Sequence, residues 1–434
     1  MDTLERQLST WMAGAFEAAF PGTDWSGVPL QVQSAQDERF GDYQCNAALR
    51  CAGLLKMSPR RIAETVAGQP CPEAVRAVEV AGPGFLNLWL DEDWLSDYLA
   101  RCDGDVRLGI PRVGEGRTVV LDYSSPNVAK PMHIGHVRST VIGHALDCLH
   151  RCLGYRVLSD NHLGDWGTQF GILIMGYRHF LDEKALQQAP VEELERVYRE
   201  SYARSREDEA WLRQAREELV KLQAGDEENG NLWRRFVELS RREFGHVYQR
   251  LRVAFDLERG ESYYREQLPH VLSRLREQGL AEQSEGAWIV RFDDDDPPPA
   301  IVRKSDGGFN YMTTDIATVL HRVEEFRPDL ILYFTDERQQ LHFRQLFAIC
   351  RQLGVEADLQ HVWFGLMRLP EGTFSTRQGN VIKLEALLDE AERKALELVR
   401  QSSPDMPPEQ QAEVARAIGI GAIKYADLSQ NPQS

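Results

Sequence analysis

Short apolar runs alternate with amphipathic helical segments along most of the chain, and the clearest example begins at residue 118. The run TVVLDYSS (118–125) is followed by VRSTVIGHALDCLHRCLG, in which apolar residues recur at four-residue steps from Val137 to Leu153 before Gly154. This spacing is typical of one helix face, and glycine is a common helix stop signal. The strand pattern returns in YRVLSDNHL (155–163). We therefore predict a β-α-β unit.

The alternation is interrupted between about 181 and 290, where Glu- and Arg-rich helical patterns replace the strand signal. It resumes in AWIVRF, DLILYFTDE and HVWFGLMRL. Strands separated by helices of about 10 to 15 residues favour a mostly parallel sheet with helices on both faces. The pattern thus predicts the α/β class: a Rossmann-type nucleotide-binding domain that carries a helical insertion.

A chain of 434 residues is longer than one hydrophobic core usually supports, so we expect more than one domain. Ahead of the β-α-β unit, helical patterns mix with strand-like runs such as VPLQVQSA and AVEVAGPGFLNLWL. This mixture indicates a small α+β domain over 1–112. The α/β domain is predicted to span 113–395, and the pattern over 396–434 is helical.

Composition narrows the class of protein. No stretch approaches the roughly 18 apolar residues of a membrane span, and the N-terminal segment is acidic and amphipathic, unlike a signal peptide. Seven scattered cysteines without a C-x2-C pair fit reduced thiols. A formal net charge of -17 argues against a general polyanion binder but leaves room for a local basic groove. We expect a soluble cytoplasmic protein without membrane partners.

The loop after the first predicted strand carries the candidate chemistry. His133 and His136 are three residues apart, so they share a turn at a predicted helix N-terminus, where unpaired N–H groups favour anions. Gly135 removes a side chain where a purine could lie, and Lys130 adds a mobile charge. Because ligands of open α/β sheets bind at strand carboxyl ends, this arrangement suits electrostatic stabilisation of a nucleotide phosphate.

Other interpretations of the same residues remain open. The two histidines could simply cap a buried helix end. A metal site is a further alternative, using the same pair or His144, Cys148 and Cys152, although closed zinc sites need four ligands. With 11 His and 33 Gly in the chain, an accidental H-x-G-H is expected only about 0.02 times. We therefore favour a phosphate site without a bound structural metal.

Several motifs together resemble the class I aminoacyl-tRNA synthetases, specifically the arginyl-tRNA synthetase family. The match includes DYSSPNVAKPMHIGHVRSTVIGHAL with its H-I-G-H signature, SDNHLGDWGTQFG, FNYMTTDIA, TDERQQLHFRQLF and FSTRQGNVIKLEALLDEA, and GDYQCNAA and AGPGFLNLWL in the N-terminal domain. It spans nearly the whole chain. The resemblance implies ATP-dependent ligation of L-arginine to tRNA(Arg) through arginyl-adenylate, with Mg2+ on the ATP phosphates.

The resemblance also assigns site residues. A guanidinium needs carboxylates in bidentate geometry and an aromatic or amide wall. The implied arginine-binding residues are Asp122, Ser124, Asn127, Glu261, Tyr311, Asp315 and Gln339. His133, His136 and Lys130 are the implied catalytic residues, and Gly135 belongs to the ATP site. Asp165 and Gln169 could bind as well, but the glycines beside them also suit a tight packing turn.

Two features depart from the family pattern. The second ATP signature, usually K-M-S-K-S, is FSTRQG (374–379), so both lysines are absent. Arg377, beside Ser375 and Thr376, supplies the charge of one missing lysine. The resemblance implies that Lys130 supplies the charge of the other missing lysine. The chain also stops where the family continues into an anticodon-binding domain, of which 396–434 would be the start. We expect a truncated or shortened monomeric relative that contacts tRNA through residues 1–112. One alternative is an enzyme that adenylates arginine for an acceptor other than tRNA. The other alternative is an inactive tRNA-binding regulator.

Overall fold

The computed structural model describes residues 3–293, 296–366, 368–369, 372–373 and 382–433. The chain divides into two compact units. The first comprises residues 1–115 with 152–154, and the second comprises residues 116–151 with 155–434. Among the described residues, no helix is long and apolar enough to cross a membrane.

The first unit is built on an antiparallel sheet with the strand order β1-β2-β4-β3. Buried side chains of α1 and α3, such as Phe16 and Ile62, pack with Leu86 and Leu88 of β4. The run AVEVAGPGFLNLWL forms a hairpin because Gly82 and Gly84 turn the chain at φ values of 53° and 142°. The elements are α1 (Leu4–Ala19), β1 (Gln33–Ser34), β2 (Tyr43–Cys45), α2 (Ala47–Leu55), α3 (Pro59–Ala67), β3 (Val75–Ala81), β4 (Phe85–Leu90) and α4 (Glu92–Asp103).

The second unit is organised around a parallel sheet with the order β11-β10-β5-β6. Val119 and Leu121 pack in one core and Val120 in another, because successive side chains of a strand point to opposite faces. Strands buried on both faces read as continuous apolar runs, which explains the strong sequence signal. The strands are β5 (Thr118–Asp122), β6 (Arg156–Asp160), β10 (Leu330–Asp336) and β11 (Asp358–Phe364).

The strand order places a topological switch point at β5. The chain passes from β5 to β6 on one side, and later returns to β10 on the other side. In open α/β sheets, the crevice at such a point, outside the strand carboxyl ends, is the usual ligand site. The loops after β5 and β10 flank this crevice, so the predicted Rossmann-type class and its β-α-β unit are confirmed.

A helical region separates β6 from the later strands, but it ends earlier than predicted. Helices run from Glu183 to Glu277, and β7 follows within the stretch predicted to be helical, whereas β8 coincides with the start of the predicted strand run AWIVRF. The four residues of β7, AEQS, are mostly polar because the strand lies at the edge of a small antiparallel sheet, β7-β8-β9, so no apolar alternation marked it. The elements are α6 (Gln169–Phe180), α7 (Glu183–Gln188), α8 (Pro190–Glu207), α9 (Glu209–Gln223), α10 (Glu227–Leu251), α11 (Leu268–Glu277), β7 (Ala281–Ser284), β8 (Ala287–Val290) and β9 (Ala300–Arg303).

The remaining helices connect the sheet strands and follow them. The first helix of the unit directly follows the β5 loop, and two further helices flank β10 in the chain. The last two helices pack on each other around Ala395, Val399 and Ala415. The elements are α5 (Gly135–Cys152), α12 (Tyr311–Phe326), α13 (Gln340–Gln352), β12 (Arg368–Leu369), β13 (Gly372–Thr373), α14 (Leu384–Ser402) and α15 (Pro408–Leu428).

Candidate active site

The loop after β5 has an unusual backbone. Ser124, Ser125 and Ala129 adopt φ values of 71°, 47° and 62°, a left-handed region that non-glycine residues rarely occupy. The N–H of Ser124 donates to Ser139 Oγ at 2.9 Å, and the N–H of Ala129 donates to Ser240 Oγ at 2.9 Å. Such strain persists only where the surroundings fix it and is common at functional sites. Hydrogen bonds from α5 and α10 therefore fix the loop at the carboxyl edge of the sheet.

One ring nitrogen of His133 and one of His136 each accept a hydrogen bond from a backbone N–H group. The N–H of His133 donates to Nδ1 of His136 at 3.0 Å, and the N–H of Gly135 donates to Nδ1 of His133 at 3.1 Å. The ring centroids are 4.0 Å apart. A ring nitrogen that accepts from an N–H carries no proton, so each neutral ring holds its proton on Nε2. The pair therefore provides two Nε2–H donors.

Both imidazoles are neutral at physiological pH. Burial lowers the pKa of His133, and the charges of Lys130 and Arg338 lower it further. Burial and the neighbouring His133 lower the pKa of His136 to about 3. The rings can therefore stabilise developing negative charge as dipolar donors rather than as cations.

Gly135 makes room for the ring of His133. A Cβ atom at residue 135 would lie 2.8 Å from Cε1 and 2.9 Å from Nδ1 of that ring. The sequence predicted space for a purine at this glycine, and the structure adds that the imidazole of His133 also needs this space. The glycine thus permits the hydrogen bond that sets the tautomer of His133.

Two cations accompany the histidines. Lys130 is exposed, and its Nζ lies 5.7 Å from the centroid of the Tyr198 ring on α8. Arg338 follows β10, and its Nε and Nη2 donate to the two carboxylate oxygens of Asp336 at 2.9 and 2.6 Å. Since β10 and β5 are neighbours, Arg338 is brought to the switch point and its charge acts on His133. Arg338 was not among the residues predicted from the sequence, although its position just after an apolar strand was a usable signal.

The second ATP signature falls outside the described residues, and with it the predicted residues Ser375, Thr376 and Arg377. The described chain resumes at Ile382, whose carbonyl accepts from the N–H of Ile134 at 3.1 Å. The N–H of Leu384 donates to the carbonyl of Met132 at 2.9 Å. The residues that follow the signature therefore pair directly with the histidine loop.

A group of carboxylates lies near the N-terminus of α12. Asp315 is one turn from Tyr311, whose side chain is 60% exposed. Burial raises the pKa of Glu261 to about 7; His162 opposes this shift, and the charges of Asp315 and Asp165 add to it. Carboxylates that disfavour each other's ionisation favour a bound cation. These side chains can therefore form a pocket for a positively charged group.

The position of the buried Arg322 on α12 shows where Asp315 lies relative to the sheet. Its Nη2 donates to Asp122 at 2.7 Å and to Asp160 at 2.8 Å, at the paired ends of β5 and β6. Burial opposes its ionisation, but the two carboxylates outweigh burial and its pKa is raised. Asp315 lies seven residues closer to the helix N-terminus, roughly 10 Å along the axis. Since α12 leads into a strand parallel to β5, Asp315 lies beyond the carboxyl edge.

Two predicted arginine-binding residues have other partners. Asp122 accepts from Arg322 and, at 2.9 Å, from Ser125 Oγ. The hydroxyl of Ser124 hydrogen-bonds Tyr248 at 2.9 Å and Thr140 at 2.8 Å. Both side chains are therefore committed to buried contacts that hold the β5 loop. Arg322 and Tyr248 are distant in the sequence, so local spacing gave no sign of these two partners.

The other predicted residues are accessible or structural. Asn127 is exposed and bridges the backbone of Gly164, and Gln339 is exposed at the end of a 3-10 turn after β10. Asp165 is buried and accepts from the N–H and Oγ of Ser262 at 2.8 and 2.6 Å. Asp165 thus fixes the turn that carries Glu261, one residue before Ser262.

Within the described part of the chain, no three His, Cys, Asp or Glu side chains form a group suited to a metal ion. His144 and Cys148 do approach each other, with 3.7 Å between Nε2 and Sγ. The histidine pair at the switch point suits a phosphate and the carboxylates near α12 suit a cation, in a fold of the Rossmann-type nucleotide-binding class.

Comparison with known proteins gives the family. A family model for "tRNA synthetases class I (R), catalytic domain" matches residues 104–433, and one for "Arginyl tRNA synthetase N terminal domain" matches residues 4–90. An arginine–tRNA ligase of Fusobacterium nucleatum is 42% identical over 100% of this chain and 76% of its own length. One of Azotobacter vinelandii is 43% identical over 93% and 72%. The chain belongs to the class I arginyl-tRNA synthetase family.

Solved structures of arginyl-tRNA synthetases superpose on this chain. The arginyl-tRNA synthetase of Plasmodium falciparum superposes with a TM-score of 0.83 at 26% identity, covering 100% of this chain and 76% of that one. The Thermus thermophilus enzyme superposes with a TM-score of 0.77 at 21% identity and equal coverage, which supports the fold.

Proposed function

We propose that this protein ligates L-arginine to tRNA(Arg) through arginyl-adenylate, at the expense of ATP. The observation that carries the proposal is the pair of neutral imidazoles, each with its proton on Nε2, at the switch point of the sheet. The carboxylate group near α12 supports arginine as the amino acid, because a guanidinium is a fixed planar cation.

In the first step, a carboxylate oxygen of arginine bonds to the α-phosphorus of ATP while the bond to the bridging oxygen of pyrophosphate breaks. The attacking carboxylate is already ionised, so no general base is needed, and positioning and electrostatics supply the acceleration. His133 and His136 donate to the developing charge, and Lys130 and Arg377 act on the leaving pyrophosphate. Mg2+ is expected to arrive on the ATP phosphates, as is usual for this ion.

In the second step, the 2'-hydroxyl of the terminal adenosine of tRNA bonds to the arginyl carbonyl carbon. AMP leaves, and the hydroxyl proton passes to solvent. We assign residues 1–112 to tRNA contact and residues 113–395 to catalysis. Arginines of the N-terminal region, such as Arg60 and Arg61, would meet phosphates in non-specific, salt-sensitive contacts.

Arginine is assigned to the pocket near α12. Asp315 and Glu261 would accept from the guanidinium, with Tyr311 as the aromatic wall and Gln339 and Asn127 at the exposed rim. The mutual repulsion of the two carboxylates is relieved when a cation lies between them. A neutral or shorter side chain would leave this repulsion in place, which favours arginine over uncharged amino acids.

The test measures ATP–pyrophosphate exchange and tRNA charging by the purified chain, with arginine or lysine, and with or without tRNA(Arg). We expect arginine-dependent charging, and no reaction with lysine. Exchange without tRNA and without charging would instead point to an acceptor other than tRNA. Arginine or tRNA binding with neither reaction would point to an inactive binding protein. The His136→Ala variant is the matched control and should lose exchange while remaining folded.

A further inference from the structure

His342 lies in the first turn of α13 and contacts two of the residues assigned to the arginine pocket, Asp315 and Tyr311. Its Nε2 is 2.6 Å from Oδ2 of Asp315. Its ring meets the ring of Tyr311 edge-on, with centroids 4.9 Å apart and an interplanar angle of 62°. The side chain is buried, with a relative exposure of 9%. A single buried imidazole thus contacts the carboxylate and the aromatic wall at once.

The surroundings define the proton position on this ring. Nδ1 of His342 is buried and has no hydrogen-bond partner among the described residues. A proton on Nδ1 would be a buried donor without an acceptor, which is unfavourable. A proton on Nε2 donates directly to the carboxylate of Asp315. The surroundings therefore favour the tautomer with its proton on Nε2, directed at the carboxylate of Asp315.

We propose that His342 is a positioning residue for arginine selection, which holds the carboxylate plane of Asp315 and the ring of Tyr311 in the orientation that a guanidinium requires. This inference rests on the function proposed above. The χ2 angle of a free aspartate is broadly distributed, so an unheld carboxylate samples many planes. The planar guanidinium of arginine donates two parallel N–H bonds, so its binding depends on the orientation of the carboxylate plane. The binding of a lysine ammonium does not.

The expected effect falls on arginine and not on ATP. A hydrogen bond to a charged group is strong enough that losing it weakens arginine binding by about 10- to 100-fold. The affinity for ATP should stay within about twofold, because the hydrogen bonds that orient His133 and His136 lie within the loop after β5 and do not involve His342. Discrimination against lysine should fall along with arginine affinity.

Three substitutions separate hydrogen bonding from packing. In His342→Gln the side-chain amide nitrogen sits near the position of Nε2 and can still donate to Asp315, so arginine KM should stay within about threefold of the wild type. His342→Asn is too short and His342→Leu has no donor, so both should show the full rise in KM. The readouts are KM for arginine and for ATP, inhibition by lysine, and the melting temperature.

A double-mutant cycle tests whether His342 acts through Asp315. In the Asp315→Asn background, the His342→Leu change should have a much smaller effect on arginine KM than it has in the wild type. His361→Gln is the matched control. His361 lies on β11 with Nε2 2.8 Å from Thr335 Oγ1 and its ring 4.3 Å from Phe343, the neighbour of His342, yet it has no recorded bond to Asp315. Its arginine KM should stay within about twofold of the wild type.

The proposal is overturned if His342→Asn leaves arginine KM unchanged, or if His342→Leu and Asp315→Asn add fully. It is also overturned if His342→Gln is as impaired as His342→Asn at equal melting temperature. If the leucine variant does not fold, the Gln and Asn pair decides the matter. Failure of the proposed function looks different: the wild type itself would then show no arginine-dependent reaction.

Discussion

Arginine binding is expected to release a proton from Glu261. Burial and the charges of Asp315 and Asp165 raise the pKa of this carboxyl group to about 7 in the free protein, although His162 opposes the shift. A guanidinium interacts favourably with the ionised form and poorly with the protonated one. Arginine affinity should therefore be low where Glu261 is protonated and should increase as pH rises through 7.

The magnitude follows from the ionised fraction. With a pKa of about 7, Glu261 is ionised to about one tenth at pH 6 and to about nine tenths at pH 8. Arginine affinity should thus be about tenfold higher at pH 8, a difference of about 1.4 kcal/mol. Binding should release about 0.9 proton per arginine at pH 6 and about 0.1 at pH 8.

Isothermal titration calorimetry of arginine, at several pH values and in buffers of different ionisation enthalpy, measures affinity and proton release together. The Glu261→Gln variant should bind arginine more weakly and with a flat profile between pH 6 and 8. If the wild type shows neither a pH-dependent affinity nor buffer-dependent heats, Glu261 does not contact the guanidinium and the reasoning fails.

Three further substitutions test other parts of the site. Asp315→Ala should raise KM for arginine by about 100-fold or more while ATP affinity stays nearly intact, measured by exchange kinetics; a change below about threefold would remove Asp315 from the pocket. Gly135→Ala places a Cβ 2.8 Å from the His133 ring and should lower kcat of exchange by about 100-fold with an unchanged circular dichroism spectrum; full activity would show that the ring orientation is irrelevant. Arg322→Leu leaves Asp122 and Asp160 buried without a counter-ion and should lower the free energy of unfolding by about 3 to 5 kcal/mol in urea titrations; an unchanged midpoint would contradict the buried ion pairs.

Much of the fold could be predicted from the amino-acid sequence. The strands β5, β6 and β10 and the helix α5 follow from apolar periodicity, which reflects burial on both faces of a parallel sheet. The pairing of His133 with His136 follows from a spacing of three residues at a helix start. The strand β7 was not predicted, because an edge strand with polar residues carries no such pattern.

The sequence by itself determined the class of fold, and it predicted a phosphate loop after β5 and, through resemblance, an arginine site that includes Glu261 and Asp315. Only the tertiary structure decided that Asp122 pairs with Arg322, 200 residues away, and that His342, 27 residues from Asp315, contacts its carboxylate. The physical reason is the range of the interactions. Periodicity and capping act within a few residues, whereas hydrogen bonds between buried charges form wherever the packed sheet and helices bring distant side chains into contact.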